Sequence, residues 1–519
     1  MCRSAVGAVV SQAKRDVARA ALGKTNSQDS RPSPRSDRRR DANPSGPPSR
    51  KAAGPAESKT ARSLGSKRAR RPEPQPARRP EPAISRAALG DARPVDFPAP
   101  QRESQVVEAR AGDHPSIYQW LLAVFHAPSR EEFYAEQDDP TYEPVNRLLV
   151  KRGPRIVSHA QLLDRTMHFG SLRLPVSQLA WLGTLPEFRR QGAASRLLTA
   201  ADERMCSDGA ALGLLRTRVP RFFHRAGWAV CGRHCFSRAN PREILARYWA
   251  GPELRRDSLN IRLWRHFELP ALMRIYAQNT AESFGPLQRD EAYWRWLISR
   301  AAFDHIIIAL AGPDRLDLNE TAAPIVGYAV VRQERIVELL TNPAYPTAGV
   351  QLLARACSDA LERRGNDIVF EGPAGDPLHQ FIQTAGGALH HHEADEGEVF
   401  MAKLVDSARF FERLAPIMEA RFRAADSSKS CELGLLAGCE KFLLTIDRGG
   451  ARIARGRLGR SYLTCTPAEL TRLLLGHSSP ADAAAQGRLS ASTQLALELA
   501  GILFPRLPAW RPLWDDLAA

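Results

Sequence analysis

The sequence predicts an α+β (mixed α/β) protein of three folded modules behind a basic, disordered tail. Three observations carry that reading. An apolar run, Leu179–Leu185, passes through Pro186-Glu187-Phe188 and a basic small-residue turn, Arg189-Arg190-Gln191-Gly192-Ala193-Ala194, into a helix-forming stretch that reaches Met205. The same order of strand, small-residue turn, helix, strand and aromatic–glycine segment recurs once further along. The final stretch has another pattern: a long amphipathic helix, a hairpin and a capped helix.

The chain has 519 residues, and a prior of one domain per roughly 150 residues suggests three domains. Its net charge of +16 is unevenly spread. Residues 1–102 hold 23 Lys+Arg against 9 Asp+Glu, so +14 lies in the tail and the remainder carries only +2. The tail is rich in Pro, Ala, Ser and Arg and too poor in large apolar residues to offset chain entropy, which reads as disorder. It is either a nonspecific polyanion-binding or targeting arm or an unselected extension. The near-neutral body argues against nucleic-acid binding except nonspecifically through that tail. No apolar run of about 20 residues offers a membrane span. Eight scattered cysteines suggest a reducing, cytoplasmic compartment. Cys231-Gly-Arg-His-Cys235 lacks a second pair at zinc spacing, and His390-His391-His392 reads as an exposed loop, so no metal is expected.

The first folded block spans 103–252. Val106–Arg110 reads as a strand and Pro115–His126 as a helix with Ile117, Leu121, Leu122 and Phe125 on one face. Arg147–Lys151 and Arg155–His159 are strands joined at Arg152-Gly153-Pro154. The basic turn follows, then a strand, Leu212–Arg216, and the short helix Arg221-Phe222-Phe223-His224-Arg225-Ala226-Gly227-Trp228. A strand that ends in Arg-x-x-Gly-x-small and opens a helix leaves a nest of backbone N–H groups at the positive end of the dipole, suited to a pyrophosphate. It lacks both Gly-x-Gly-x-x-Gly and a Gly-Lys-Ser/Thr ending, so a dinucleotide site and a Walker loop fit badly.

The second block, 253–405, repeats this frame. Ile306–Leu310, Ile325–Arg332 and Arg335–Thr341 are strands, Val350–Arg364 is a helix, and Asp367–Glu371 is a strand. Phe381-Ile382-Gln383-Thr384-Ala385-Gly386 aligns on Phe222–Gly227, and Gly349 to Gly386 is 37 positions against 35 from Gly192 to Gly227. Shared order and spacing argue for tandem domains. The turn of the second copy has lost its arginines, so it reads as structural. The third block, 406–519, holds the helix Ala408–Phe422, a hairpin turning at Asp447-Arg448-Gly449, a capping box at Thr466–Glu469, a helix from Ser490 to Leu503 and a Trp-rich end.

Arg189, Gly192 and Ala194 match motif A of the GNAT N-acetyltransferases, Gln/Arg-x-x-Gly-x-Gly/Ala, and the aromatic segment ending at Gly227-Trp228 sits where that family has one. Two tandem GNAT modules followed by such a tail resemble the Eis-like (enhanced intracellular survival) acetyltransferases, whose third domain is sterol-carrier-protein-like. The resemblance covers 103–519. It implies acetyl-CoA as acyl donor, an amine as acceptor and a homo-oligomer. It also implies that Leu182, Gly183 and Thr184 bind the pantetheine arm, and that Arg189, Arg190, Gln191, Gly192, Ala193, Ala194 and Ser195 hold the pyrophosphate. The family's acid is a tyrosine where this chain has Phe223, so the adjacent His224 becomes the candidate proton donor. The family's base is the terminal carboxylate, here Ala519, with Asp515 and Asp516 as nearby substitutes. The expected function is acetyl transfer to a primary amine: aminoglycoside-like, small, or a protein lysine. The alternative is a binding protein with an apolar ligand in its C-terminal domain and a vestigial GNAT scaffold.

Overall fold

The computed structural model describes residues 105–232, 235–255, 258–314, 324–391, 399–425 and 430–517. The tail expected to be disordered and Ala519 lie outside these residues. Strand β1 (Val106–Glu108) precedes helices α1 (His114–Phe125) and α2 (Arg130–Gln137). Helix α1 buries Ile117, Trp120 and Leu121, the i, i+3, i+4 stripe of an amphipathic helix. Helix α2 begins in a capping box: Ser129 Oγ accepts from Glu132 N–H and the Glu132 carboxylate from Ser129 N–H. Strands β2 (Arg147–Arg152), β3 (Arg155–Phe169) and β4 (Leu172–Thr184) form an antiparallel meander. Both β3 and β4 are far longer than the sequence pattern indicates, because polar side chains such as His159, Gln161, Arg165 and His168 are buried along β3 and mask its alternation. Helix α3 (Ala193–Ser207), β5 (Leu212–Thr217), α4 (Pro220–His224) and β6 (Ala229–Gly232) complete the segment.

The chain then leaves its first sheet. Strand β7 (Cys235–Ala239) lies in a second sheet, followed by helix α5 (Pro241–Ala250). Strand β8 (Asn260–Leu263), α6 (Leu269–Thr280), β9 (Phe284–Leu287), α7 (Glu291–Ser299), β10 (His305–Leu310), β11 (Ile325–Arg332), β12 (Arg335–Thr341), α8 (Ala348–Glu362), β13 (Ile368–Glu371), α9 (Pro377–Thr384) and β14 (Ala388–His391) follow. Among the described residues, the second sheet runs β14-β7-β13-β12-β11-β10-β8. The next strand, β15 (Val399–Leu404), returns to the first sheet and pairs with both β5 and β6. The two sheets thus exchange strands, and β9 also pairs with β3. Strand β7, before the boundary expected at 252/253, pairs in the second sheet, and β15, before that expected at 405/406, pairs in the first. Ladder hydrogen bonds, which sequence periodicity does not report, decide this.

The last segment opens with helix α10 (Ser407–Ala424), capped by the Asp406 carboxylate. Strands β16 (Cys431–Ala437), β17 (Glu440–Asp447), β18 (Gly450–Arg455) and β19 (Tyr462–Cys465) precede α11 (Pro467–Leu474), α12 (Pro480–Ala485), β20 (Leu489–Ala491) and α13 (Gln494–Leu503). They build a five-stranded sheet ordered β18-β17-β16-β19-β20. The helix expected from Ser490 begins at Gln494, because Thr493 caps it and the residues before it extend the sheet. Phe411 packs on Phe442 with ring centroids 5.1 Å apart, and Leu433, Leu444, Leu463 and Leu503 are fully buried beside them. Beyond α13 the chain crosses the second segment: Trp510 N–H donates to Phe284 O, and Trp514 stacks edge-on against Trp294 at 5.5 Å. No helix among the described residues is long and apolar enough to cross a membrane.

Candidate active site

Strands β4 and β5 pair in parallel only over Val176–Gln178 and Leu212–Leu214, then diverge. The divergence begins at a bulge. Gln161 pairs with Ala180 and His159 with Gly183, so β4 carries an extra residue there. Trp181, in the bulge, has φ 50°, the left-handed region that a bulky side chain adopts only when its surroundings impose it. Those surroundings are a buried chain of polar groups. A carbonyl can only accept, so His159 Nδ1–H donates to Trp181 O at 3.0 Å, and His159 Nε2 accepts from Arg147 Nη1 at 3.3 Å. Arg147 also donates to Tyr142 Oη at 3.1 Å and lies over the Phe133 ring. Burial, reinforced by the Arg147 charge, pushes the His159 imidazole down to about 3, so it is neutral at any ordinary pH.

Between the splayed strands lies a cleft of about 930 Å³. Its lining includes Leu182, Gly183, Thr184, Arg189, Arg190, Gly192, Ala193, Ala194 and Ser195, so all the expected cofactor residues except Gln191 share one cleft. Gln191 is instead a brace: it accepts from Arg152 at 2.7 Å and donates to Glu187 O. Gly192 is the N-cap of α3, at φ 77°, with no side-chain cap and nothing within 4 Å of where a Cβ would stand. Its conformation calls for glycine, and the first N–H groups of a 15-residue helix point out uncapped. A helix N-terminus of this kind is suited to an anion, and Arg189 and Arg190 line the same cleft.

On the other side of the bulge is a smaller cavity of about 220 Å³, lined by Glu136, Asp139, Gln161, Arg165, Arg216, Trp296, Arg300, Asp515, Asp516 and Leu517 among others. It shares Leu179, Ala180, Trp181 and Arg216 with the cleft. Glu136 accepts from the Trp181 indole N–H at 3.2 Å and, loosely, from Arg147 at 3.4 Å. Burial raises its carboxyl above the usual carboxylate range, against the pull of Arg147, the indole and Arg300. The other acids are tied: Asp139 to Arg165, Asp515 to Arg289, and Asp516 to Arg216 at 3.3 Å and Arg511 at 2.8 Å.

Phe223 is buried and lines the cleft, whereas His224 does not. The structure does not bring His224, the expected proton donor, to the cleft: it is exposed at the end of α4, and its Nδ1–H donates to Trp228 O at 3.0 Å. One residue separates the two, a rotation of about 100° on a helix. Among the described residues, those lining the cleft include no His, Tyr, Cys, Lys, Asp or Glu. Of the substitutes for Ala519, Asp515 is locked in a buried ion pair and Asp516 faces the smaller cavity. Glu136, Gln161 and Arg300 escaped sequence reasoning. The available signal for Glu136 was the Ser129–Glu132 capping box, which announces the helix that carries it.

In the second sheet β12 and β13 pair in parallel only at Arg335–Ile336 and then separate, just as β4 and β5 do. Here a Cβ on Gly349 would meet the Leu378 and Leu339 side chains at 3.5–3.7 Å, so apolar groups pack over the corresponding helix start.

Residues 105–231 match the family model described as the acetyltransferase (GNAT) domain, and residues 435–512 match the sterol carrier protein domain. The chain thus carries an acetyltransferase (GNAT) domain in its first folded segment and a sterol carrier protein domain near its C-terminal end. Its fold is similar to that of a GCN5-related N-acetyltransferase from Anabaena variabilis, with TM-score 0.60 and 17% identity over 78% of this chain and 98% of that one. A probable N-acyltransferase from Enterococcus faecalis matches with TM-score 0.62 and 16% identity, over 78% and 96%. Eis1 from Mycobacterium abscessus matches with TM-score 0.53 and 15% identity, over 79% and 99%. No curated protein matches in sequence.

Proposed function

We propose that the protein transfers the acetyl group of acetyl-CoA to a primary amine by direct attack within a ternary complex. The observation that supports this is that the cofactor-type cleft and a carboxylate-bearing cavity share Leu179–Trp181 and Arg216 as lining residues. The N–H groups at the start of α3 hold the pyrophosphate, and the backbone of Leu182, Gly183 and Thr184 aligns the pantetheine arm. Arg189 and Arg190 add charge.

The acceptor enters from the cavity as an ammonium. Glu136 takes its proton, and the neutral amine attacks the thioester carbon. The C–N bond forms, the attacking nitrogen gives its second proton to solvent, the C–S bond breaks, and coenzyme A departs as a thiolate. A thiol of roughly pKa 8.5 leaves readily as an anion. Arg216 stabilises that charge and solvent returns the proton, so a phenylalanine at position 223 is tolerated. Glu136 thereby fills the role that family resemblance gives to the carboxylate of Ala519.

The test is thiol release from acetyl-CoA by the full chain with a panel of amines, together with the thermal midpoint with and without acetyl-CoA. Amine-dependent thiol release and a raised midpoint are expected. Absence of both would sink the reading.

A further inference from the structure

The cavity beside the bulge holds buried groups whose bonding capacity its own residues leave unmet. The side-chain oxygen of Gln161, a residue only 1% exposed, has no hydrogen-bond partner among the described residues. Glu136 carries a carboxylate whose nearest cation, Arg147, is 3.4 Å away and shared with His159 and Tyr142. Arg300 is 8% exposed and makes no direct ion pair with a carboxylate among the described residues, Asp515 acting on it only at longer range. It donates to the carbonyls of Leu517 and Trp514 and lies over the Trp296 ring at 4.4 Å, and its Nε–H has no partner. All three line one cavity.

A carboxylate and an amide oxygen seeking donors, opposite a guanidinium seeking an anion, define a ligand with charge at both ends. We infer that the acceptor is a small zwitterionic amine, an α- or short ω-amino acid, held with its ammonium on Glu136 and Gln161 and its carboxylate on Arg300. This rests on the acetyl-transfer reading. Polycationic acceptors fit poorly, because Asp139, Asp515 and Asp516 are already neutralised by Arg165, Arg289 and Arg216. At about 220 Å³ the cavity is also smaller than the roughly 300–1,000 Å³ that buries a drug-sized ligand. An amine without the carboxylate leaves Arg300 unpaired, and sites built to bond a group reject analogues that lack it by large factors.

The experiment compares kcat/KM of the full chain at saturating acetyl-CoA for matched pairs, β-alanine with ethylamine and γ-aminobutyrate with propylamine, beside spermidine and kanamycin. The expected result is a preference on the order of 10²-fold for each zwitterion. Arg300→Gln should bring the ratio within each pair close to one, chiefly by raising KM for the zwitterion. Because Arg300 also fastens Leu517 and Trp514, the wild-type comparison stands whether or not that variant folds, and Gln161→Leu gives a second, milder test. Equal values within each pair, as follow if the guanidinium is neutralised from within the chain, overturn the inference but leave acetyl transfer intact. So does a preference for spermidine or kanamycin. Failure to acetylate any amine overturns it too, and failure to bind acetyl-CoA as well removes the underlying reading.

Discussion

Trp181 donates its indole N–H to Glu136 at 3.2 Å while its own carbonyl accepts from His159, so one residue ties the acid on α2 to the bulge that opens the cleft. The strained backbone at position 181 and the raised carboxyl of Glu136 are two ends of one arrangement. What holds the strand open also positions the base.

Glu136→Gln keeps the shape and the indole contact but removes the proton acceptor. General-base catalysis contributes typically 10²–10⁴-fold, so kcat should fall by about that factor with KM for acetyl-CoA unchanged. The acidic limb of the wild-type pH–rate profile should lie above the usual carboxylate range, because burial raises this group. Its base form is lost as pH falls through that raised value. A variant retaining wild-type kcat would exclude Glu136 from proton transfer.

Gly192 separates backbone strain from ligand binding. An alanine at φ 77° costs roughly 1–2 kcal/mol, yet its methyl group meets nothing within 4 Å. Gly192→Ala should therefore lower the stability read by urea denaturation by about that amount and still respond to acetyl-CoA. Gly192→Glu adds a negative charge where the pyrophosphate sits, and its thermal midpoint should no longer rise with acetyl-CoA.

The strand exchange makes the first segment incomplete. A fragment ending at residue 252 lacks β15, which lies between β5 and β6, and carries β7 without its neighbours β13 and β14. It exposes unpaired strand edges, the usual route to aggregation. Such a fragment should fail to give a cooperative thermal transition where residues 105–519 give one. An independently folding 105–252 fragment would contradict this.

The cleft was legible in sequence because its determinants are local. Arg189 to Ser195 form one contiguous turn and helix start, and a glycine with positive φ announces itself there. The smaller cavity was not. Glu136, Gln161, Arg300 and Asp516 come from four distant stretches and meet only through the sheets, and Gln161 and Arg165 look like surface residues within their strand. The aromatic segment misled for a related reason. Phe223 and His224 are adjacent in sequence, but only packing shows which of them faces the cleft.

Arg289 ties the C-terminal segment to the second sheet. It donates two hydrogen bonds to Glu338, at 3.0 and 2.6 Å, and two to Asp515, at 2.9 and 3.0 Å, and lies over Tyr276 at 4.1 Å. Arg289→Met leaves two buried carboxylates facing each other without a cation. Breaking such a pair costs about 3–5 kcal/mol, and chemical denaturation should show a loss of that size. Because Asp515 adjoins Asp516 and Leu517 in the smaller cavity, acceptor KM should rise more than KM for acetyl-CoA.

The buried His159 sets the acid response of the fold. Its pKa lies near 3 when folded and near 6.5 when unfolded, so the unfolded chain takes up a proton first as pH falls. Stability from its neutral form is fully present above pH 6.5 and is lost as pH drops from there towards 3, by up to about 1.4 kcal/mol per unit from this one group. His168, lowered to about 4 by burial, acts in the same direction. The thermal midpoint should therefore decline steadily from pH 6.5 to pH 4. Protonation of His159 would set a second cation against Arg147 and remove its Nε2 as an acceptor, straining the support of Trp181. Because the folded imidazole charges only near pH 3, acetyl-CoA affinity should hold between pH 7 and pH 5 while the midpoint falls, and calorimetric titration at those two pH values would check it. A midpoint that stays flat from pH 7 to pH 4 would show that His159 is not buried neutral in the way its two bonds indicate.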